Sequence, residues 1–348
     1  MNKRVTIYDI AAELGVSIAT INRAMNNKPG VSEATRMRVL QTADEMGFSV
    51  NHIAKSLARP PIKLGFLIYN HIPVFHDEII AGVKREMASL KDFNVTCTIH
   101  SITGNIHTTQ QAYIKCLQQQ LDERPDGFLM LPPAQSAELY TYIQQMCDAG
   151  IKVALVNSDL PGIPRLFSCH QNAVLAGKMA AELLSLMIPN GKVAVFTGHK
   201  DVQNHLDSIQ GFQSECLCRN LQLVSICENY DDPEFAAFNT EKLFTQHPDI
   251  QGIYINTANS ISICNKLLDM GLAGKIKIIA SDVFDDLVQL MNDDVIHATI
   301  FQDPFHQGRK AIKHLYRCVS ENTIPQSNIL IRPQIVLKSN LSEFTHYE

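Results

Sequence analysis

Apolar residues in the first fifty positions recur every three or four residues, in three short stretches separated by turn residues. The first stretch begins with Thr6 and Asp9, a pair that can cap a helix, and ends at Gly15, which tolerates the left-handed backbone of a tight turn. Its apolar face comprises Ile7, Ile10, Ala11 and Leu14. This spacing predicts a helix, because these positions share one side at 3.6 residues per turn.

Two further helices are predicted at the same period. Ser17 is a candidate N-cap for the second and Ser32 for the third, which Gly47 ends. The inward face of the second helix comprises Thr20, Ile21, Ala24 and Met25. The inward face of the third comprises Val39, Leu40, Ala43 and Met46. The pattern therefore predicts a small all-α head whose first two helices form a helix-turn-helix.

The outward face of the second helix carries short side chains that are neutral apart from Arg23. Its members are Ile18, Ala19, Asn22, Arg23 and Asn26. Such a face fits a DNA groove, where Ile18 and Ala19 would contact thymine methyl groups and Asn22 or Arg23 a base edge or phosphate. Two alternatives stay open, namely Ile18 as a residue at the core boundary and a chance recurrence of three amphipathic helices.

From Ile62 onward the pattern changes to short apolar runs that alternate with helical stretches. The predicted strands are Leu64–Tyr69, Val95–Ile99, Gly127–Leu131, Lys152–Val156, Lys192–Phe196, Leu221–Ile226, Gly252–Ile255, Ile276–Ala280 and Ala298–Phe301. The predicted helices include Asp77–Leu90, Thr109–Glu123, Ala137–Ala149, Val174–Met187 and Asn204–Arg219. Repeated alternation indicates an α/β body of two doubly wound parallel-sheet lobes, separated near residues 158–164.

Charge is distributed unevenly between the head and the body. Residues 1–60 carry a net charge of +3, whereas the whole chain carries −5, so a polyanion would bind at the head. The nine cysteines lack zinc-type spacing and are expected to be reduced core thiols, with Cys216 and Cys218 on a helix. Without a membrane-spanning run or a secretory signal, the sequence predicts a cytoplasmic protein, and it suggests no metal and no cofactor.

Residues 5–58 resemble the head of the lactose-repressor (LacI/GalR) family along their full length, VTIYDIAAELGVSIATINRAMNNKPGVSEATRMRVLQTADEMGFSVNHIAKSLA. The resemblance implies a transcriptional repressor that binds a pseudo-palindromic DNA operator as a homodimer. It also implies a hinge helix at Asn51–Ala58 that forms on DNA and inserts Leu57 into the minor groove, with a plain linker role for Leu57 as the alternative. The DNA-binding residues so implied are Thr6, Ser17, Ile18, Ala19, Thr20, Asn22, Arg23, Asn26, Asn51, Ala54 and Leu57.

Polar residues follow the predicted strands of the body, where parallel sheets bind ligands. The body resembles the same family's regulatory domain, which is similar to type I periplasmic sugar-binding proteins, in the segments NHLDSIQGF, IIASDVFDDL and ATIFQDPFHQG. Asp282 and Gln302 match effector-binding residues of the family, which implies a cleft for a sugar, polyol or related metabolite. The candidate effector-binding residues are Phe75, His76, Asn157, Asp159, His205, Ser208, Asn256, Thr257, Asp282 and Gln302.

Ser208 departs from the family pattern, because an arginine usually stands three residues before the Gly-Phe pair. A bidentate donor for a sugar hydroxyl or a carboxylate is therefore missing. His199, Asn204 and His205 are candidate replacements, and a solvated or capping role is the alternative for each.

These inferences divide the chain into a helix-turn-helix domain at 1–50, a hinge at 51–61 and an effector-binding and dimerisation domain at 62–348. The first lobe is expected at about 62–160 plus 302–324, and the second at about 161–301 plus 325–340. An enzyme is not expected, because no GxxxxGK[ST], GxGxxG, GxSxG or HExxH motif occurs. A transport receptor would need an export signal in place of the DNA-binding head.

Overall fold

The chain divides into two compact units, residues 1–60 and residues 61–348. The structure, a computed structural model, describes residues 5–25, 28–46, 59–103, 106–133 and 136–345. Asn26, Gly47 and the predicted hinge helix Asn51–Ala58 lie outside the described residues.

The head contains the three predicted helices, α1 (Ile7–Leu14), α2 (Ile18–Met25) and α3 (Glu33–Glu45). Thr6 and Asp9 form the predicted capping box, and Gly15 ends α1 in the left-handed region with φ 64°. The Ser17 hydroxyl accepts a hydrogen bond from the Thr20 amide at 3.1 Å. The helices therefore begin where their capping residues predict.

Ile10, Ile21 and Val39 are fully buried and join the three helices in one core. Burial of an aliphatic side chain of this size stabilises a fold by roughly 1.5–3 kcal/mol. The prediction that Leu40 faces inward is wrong, since its side chain is 44% exposed. Leu40 directly follows Val39, so it lies about 100° further round α3 and outside the face that packs on α1 and α2.

The body contains twelve strands among its described residues. They are β1 (Ile62–Tyr69), β2 (Val95–Ile102), β3 (Gly127–Leu131), β4 (Lys152–Val156), β5 (Ser168–Gln171), β6 (Lys192–Thr197), β7 (Gln222–Glu228), β8 (Gly252–Asn256), β9 (Lys277–Ser281), β10 (Ala298–Phe301), β11 (Asn328–Ile331) and β12 (Gln334–Val336). They form two sheets with the same spatial order, β11-β5-β4-β3-β1-β2 and β12-β10-β9-β8-β6-β7. All strand pairs are parallel except β10 with β12. The predicted fold class, an all-α head with two parallel-sheet lobes, is confirmed.

The helices of the body pack on both faces of these sheets. They are α4 (Pro73–Ser89), α5 (Ile106–Glu123), α6 (Ala137–Asp148), α7 (Ala173–Met187), α8 (Gln203–Cys218), α9 (Pro233–Gln246), α10 (Ser260–Asp269), α11 (Asp285–Asn292) and α12 (Pro304–Glu321), and a 3-10 turn follows at Leu341–Phe344. Helices α7 and α8 cross closely, because a Cβ atom at Gly177 would overlap the backbone of Ser208.

The sequence pattern missed β5, β11 and β12. Strand β5 is buried yet includes Ser168, His170 and Gln171, so it lacks the apolar run that marks the other strands. Strand β5 pairs with β4 on one side and with β11 on the other, so β5 and β11 belong to the first sheet. The predicted lobe boundaries after residues 160 and 324 are therefore wrong. The first lobe comprises β1–β5, α12 and β11, and the second comprises β6–β10 and β12.

All nine cysteines are free thiols, and Cys216 and Cys218 lie on α8 as predicted. Cys218 is exposed, contrary to the expectation that the thiols lie in the core. Within the described ranges, no helix is long and apolar enough to cross a membrane. The same ranges hold no group of three or more His, Cys, Asp or Glu side chains arranged to bind a metal ion.

Candidate functional site

The outward face of α2 is exposed as its period predicts. Ala19, Asn22 and Arg23 are exposed, and the side chain of Ile18 is 37% exposed, whereas Ile21 and Ala24 are buried against the rest of the head. At 37% exposure Ile18 lies at the edge of the helical core, as the core-boundary alternative also predicts. The face therefore presents two apolar side chains, an amide and a guanidinium side by side.

Hydroxyl groups mark the starts of α1 and α2. Thr6 and Ser17 are exposed N-cap residues, and the Ser17 hydroxyl lies 2.9 Å from that of Thr20, which is half-buried. A helix N-terminus carries partial positive charge and favours a phosphate group. The remaining predicted DNA contacts, Asn26, Asn51, Ala54 and Leu57, lie outside the described residues.

A cavity of about 680 Å³ lies in the body, at the carboxyl ends of strands from both lobes. Such a volume accommodates a small metabolite. Eight of the ten predicted effector-binding residues line it: Phe75, His76, Asn157, His205, Asn256, Thr257, Asp282 and Gln302. His199 and Asn204, two candidates to replace the missing arginine, line it as well.

Asp282 and Gln302 form the polar centre of this cavity. Asp282 follows β9 in the left-handed region with φ 64°, and Gln302 follows β10. The Gln302 backbone amide and side-chain amide donate hydrogen bonds to the two oxygens of the Asp282 carboxyl, at 3.1 and 2.7 Å. Burial raises the pKa of Asp282 to about 7, although the hydrogen bonds from Gln302 oppose this shift. The carboxyl therefore changes its charge near neutral pH.

Ser208, predicted to bind the effector, does not line the cavity. Its side chain is 2% exposed, and its hydroxyl is 3.0 Å from the Tyr254 hydroxyl. Tyr254 in turn stacks on Phe212, with 5.4 Å between ring centroids. Ser208 is therefore packed in the core beside Tyr254 and does not contribute to the cavity lining.

Asp159 also lies outside the cavity lining, contrary to the prediction. Its carboxylate forms a bidentate ion pair with Arg165, and it accepts a hydrogen bond from the Leu160 amide at 2.8 Å. Burial alone would raise the pKa of Asp159, but the contacts with Arg165 lower it below its usual value. Asp159 follows β4 closely enough to suggest a ligand contact, yet a cation in the same loop binds its side chain.

Asp231 is a cavity residue that sequence reasoning missed. It follows β7 in the left-handed region with φ 52°, accepts a hydrogen bond from the Thr257 hydroxyl at 2.7 Å, and lies 3.9 Å from Nε2 of His71. Burial would raise the pKa of Asp231, but contacts with His71, His205 and Thr257 hold it well below its usual range. The rule that polar residues follow strands would have found Asp231, had it been applied after β7.

Gly198 leaves room for the Asp231 carboxylate and the His205 ring beside the end of β6. A Cβ atom at residue 198 would collide with the Asp231 carboxylate and the His205 ring. The His205 ring accepts a hydrogen bond at Nδ1 from the His199 amide at 3.1 Å. Glycine at this position therefore determines how closely the carboxylate and the imidazole approach the end of β6.

Two imidazoles in the cavity are held in their neutral form. Burial, together with the neighbouring His71, lowers the pKa of His76 to about 3, although Asp231 opposes the shift. Burial likewise lowers the pKa of His205, against the opposing effect of Asp231. At neutral pH these rings act as hydrogen-bonding groups without charge.

Two family profiles match the chain. Residues 6–51 match the family described as "Bacterial regulatory proteins, lacI family", and residues 65–323 match the "Periplasmic binding protein domain". The chain is 23% identical over 352 residues to the HTH-type transcriptional repressor PurR of Vibrio vulnificus (strain CMCP6), covering 97% of this chain and 99% of that protein. It is 24% identical over 280 residues to Catabolite control protein A of Priestia megaterium, covering 77% and 79% respectively.

Solved structures resemble the body of the chain. A solute-binding protein from Burkholderia graminis C4D1M in complex with D-arabinose has a TM-score of 0.74 at 20% identity, covering 82% of this chain and 99% of that one. The glucose-galactose-binding protein GanP of Geobacillus stearothermophilus has a TM-score of 0.73 at 19% identity, covering 81% and 99%. At these identities the likeness shows the fold alone.

Proposed function

This chain belongs to the lacI family of bacterial regulatory proteins with a periplasmic-binding-protein domain, and we propose that it acts as a homodimer on a pseudo-palindromic operator. As a member of that family it is a transcriptional repressor whose DNA binding is controlled by a ligand of its sugar-binding-protein-like domain. A homodimer has the same two-fold symmetry as a pseudo-palindromic DNA site, so each head can bind one half of the site. We infer a cytoplasmic location, because the proposed operator is part of the bacterial chromosome in the cytoplasm.

The observation that supports DNA recognition by α2 is its exposed, short-chained face. Ile18 and Ala19 are positioned to contact thymine methyl groups, and Asn22 and Arg23 to reach base edges or phosphates. Thr6, Ser17 and Thr20 carry hydroxyl groups at the N-termini of α1 and α2, which supports assigning them to phosphate contacts. We assign the remaining contacts to Asn26 and to the hinge residues Asn51, Ala54 and Leu57.

The effector is proposed to be a sugar, polyol or related metabolite that binds in the cavity between the lobes. Asp282 accepts hydrogen bonds from ligand hydroxyls, and Gln302 donates and accepts them. Since the cavity is lined by both lobes, a ligand that contacts both favours one arrangement of the lobes over another. The operator affinity changes because the lobe arrangement that the ligand favours binds DNA with a different affinity from the other arrangement.

An operator-selection experiment tests this function. Random double-stranded DNA is selected on the full chain, and the selected site is then titrated by gel shift. The full chain is expected to select a two-fold symmetric site, and Asn22→Ala to weaken binding to it by about tenfold, as the loss of a base contact of roughly 1–3 kcal/mol implies.

The matched control is Gln41→Ala, which changes an exposed residue on α3 outside the proposed interface. It is expected to bind like the unmodified chain. Equal affinity of Asn22→Ala and Gln41→Ala for the selected site would refute the assignment of α2 as the recognition helix.

A further inference from the structure

The cavity of the body contains carboxylates but no fixed positive charge among its described lining residues. Its histidine and aspartate residues are His71, His76, His199, His205, Asp231, Asp232 and Asp282, and the described lining includes no lysine or arginine. Segments 104–109 and 134–135, whose side chains the structure does not describe, contain neither lysine nor arginine in the sequence. An anionic ligand would therefore find no permanent cation in this lining.

The cavity carries negative charge at neutral pH, from the carboxylates of Asp231 and Asp282. Asp231 is ionised at neutral pH, because Thr257 and His71 stabilise its carboxylate. Asp282 contributes a second carboxyl, whose charge increases as the pH rises through about 7, the pKa to which burial raises it. His76 and His205 are neutral there, since burial lowers the pKa of each ring. The cavity thus repels anions unless another cation enters it.

The arginine and lysine side chains that follow strands near the cavity, Arg165 and Lys200, lie outside its lining. Arg165 binds Asp159 outside the cavity, so it is not a member of the lining. Lys200 follows β6 but is likewise absent from the lining. Ser208 is buried against Tyr254 and adds no charge to the cavity.

Several hydrogen-bond acceptors belong to residues that line the cavity. The side-chain oxygens of Asn157 and Asn204 are buried and have no hydrogen-bond donor, and both residues line the cavity. Asn204 uses its amide nitrogen to reach the Gln302 oxygen at 3.3 Å. The carboxylates of Asp231 and Asp282 are further acceptors in this cavity, and they favour ligand hydroxyl or amino groups, which donate hydrogen bonds.

We propose that the effector carries no negative charge and is a neutral or amine-bearing polyhydroxyl compound, so that phosphorylated and carboxylated sugars are excluded. This inference rests on the proposed function, because it concerns the ligand of the same regulatory cavity. Tyr69, Phe75 and Tyr113 also line the cavity and suit the apolar faces of such a ring. A single negative charge near either aspartate would weaken binding by on the order of 100-fold.

Ligand charge can be tested by thermal unfolding even while the effector itself is unidentified. Unfolding of the full chain is measured with D-glucose, D-glucosamine and D-glucose 6-phosphate, with D-ribose and D-ribose 5-phosphate, and with two fractions of a bacterial small-molecule extract. The fractions are separated on an anion exchanger into retained anions and unretained neutral and cationic compounds. Bound ligand raises the melting temperature by mass action, so the charge class of the effector is measured directly.

We expect a rise in melting temperature with the unretained fraction and none with the retained fraction or the sugar phosphates. A rise with an anionic sample alone would overturn the charge inference while leaving the proposed effector function intact. No rise with any sample would overturn the proposed effector function, and the inference with it.

A charge variant tests the cause of the selectivity. Asp231→Asn removes the ionised carboxylate, so the discrimination between D-glucosamine or D-glucose and D-glucose 6-phosphate should fall by at least tenfold, measured by calorimetry. Asp269→Asn, an exposed residue at the end of α10 that does not line the cavity, is the matched control and should retain the selectivity. Unchanged discrimination in Asp231→Asn would contradict the inference.

Discussion

Asp282 combines a buried carboxyl with a left-handed backbone, and its polar contacts do not offset the cost of burial. Only 5% of the residue is exposed, and Gln302 supplies donors to both carboxyl oxygens. The main-chain oxygen of Asp282 also accepts a hydrogen bond from the Thr299 hydroxyl at 2.6 Å. These contacts hold the side chain at the cavity while burial continues to favour its neutral form.

The pKa of Asp282 predicts a pH dependence of stability. Burial raises the pKa from 3.8 to about 7, so the folded state binds this proton more tightly than the unfolded state. The stabilisation by this group is complete below about pH 4 and is lost as the pH rises through about 7. Between pH 4 and 7 this group lowers the free energy of unfolding of the unmodified chain by up to about 1.4 kcal/mol per pH unit. In Asp282→Asn the free energy of unfolding should therefore decrease less steeply over the same pH range.

Urea denaturation of the full chain at several pH values measures this difference. Asp269→Asn serves as the control for removal of a carboxylate at the surface. Identical pH profiles for Asp282→Asn and the unmodified chain would contradict the raised pKa.

At the scale of elements, the N-cap of α2 has a structural role that can be separated from DNA binding. Ser17→Ala removes the acceptor for the Thr20 amide and should destabilise the head by about 1 kcal/mol. Ser17→Asp keeps a capping acceptor, so it should unfold at nearly the temperature of the unmodified chain. Its added negative charge should nevertheless weaken operator binding, because the N-terminus of α2 faces the phosphates in the proposed complex.

Thermal unfolding and gel-shift titration of both variants measure these two effects. A loss of stability in Ser17→Asp as large as that in Ser17→Ala would argue against capping. Full operator affinity in Ser17→Asp would argue against phosphate proximity.

The crossing of α7 and α8 depends on glycine for a steric reason. In Gly177→Ala the new methyl group would overlap the Ser208 backbone, so the two helices must separate. We expect a loss of roughly 1–3 kcal/mol in the free energy of unfolding, the usual cost of overpacking. Ser185→Ala, a change on the same helix away from the crossing, is the control for denaturation experiments. A stability equal to that of this control would refute the close approach.

At the scale of the whole molecule, regulation requires a free-energy coupling between the cavity and the operator site. If the effector changes operator affinity by some factor, a saturating operator must change effector affinity by the same factor. Calorimetric titration of effector into the free chain and into the operator-bound chain measures that factor. Nonspecific DNA of equal length is the control and should leave effector affinity unchanged. Unequal factors in the two directions would show that the two ligands do not bind to one coupled system.

Local signals in the sequence determined much of this protein. Capping residues and apolar spacing placed α1, α2 and α3, because a helix depends on contacts within four residues. Apolar runs located nine of the strands, and the family match at residues 6–51 confirmed the family membership that the resemblance of residues 5–58 predicted. The strand ends also indicated eight of the ten predicted effector-binding residues that line the cavity, since parallel strands bring their carboxyl ends to one edge.

Only the tertiary structure decided which polar residues face the cavity and to which lobe each strand near a lobe boundary belongs. Asp159 and Asp231 each lie close beyond a strand, but one binds Arg165 and the other points into the cavity. Strand β11 joins the first sheet by pairing with β5, more than 150 residues earlier in the chain. These outcomes depend on partners distant in the sequence, whose contacts no local period contains.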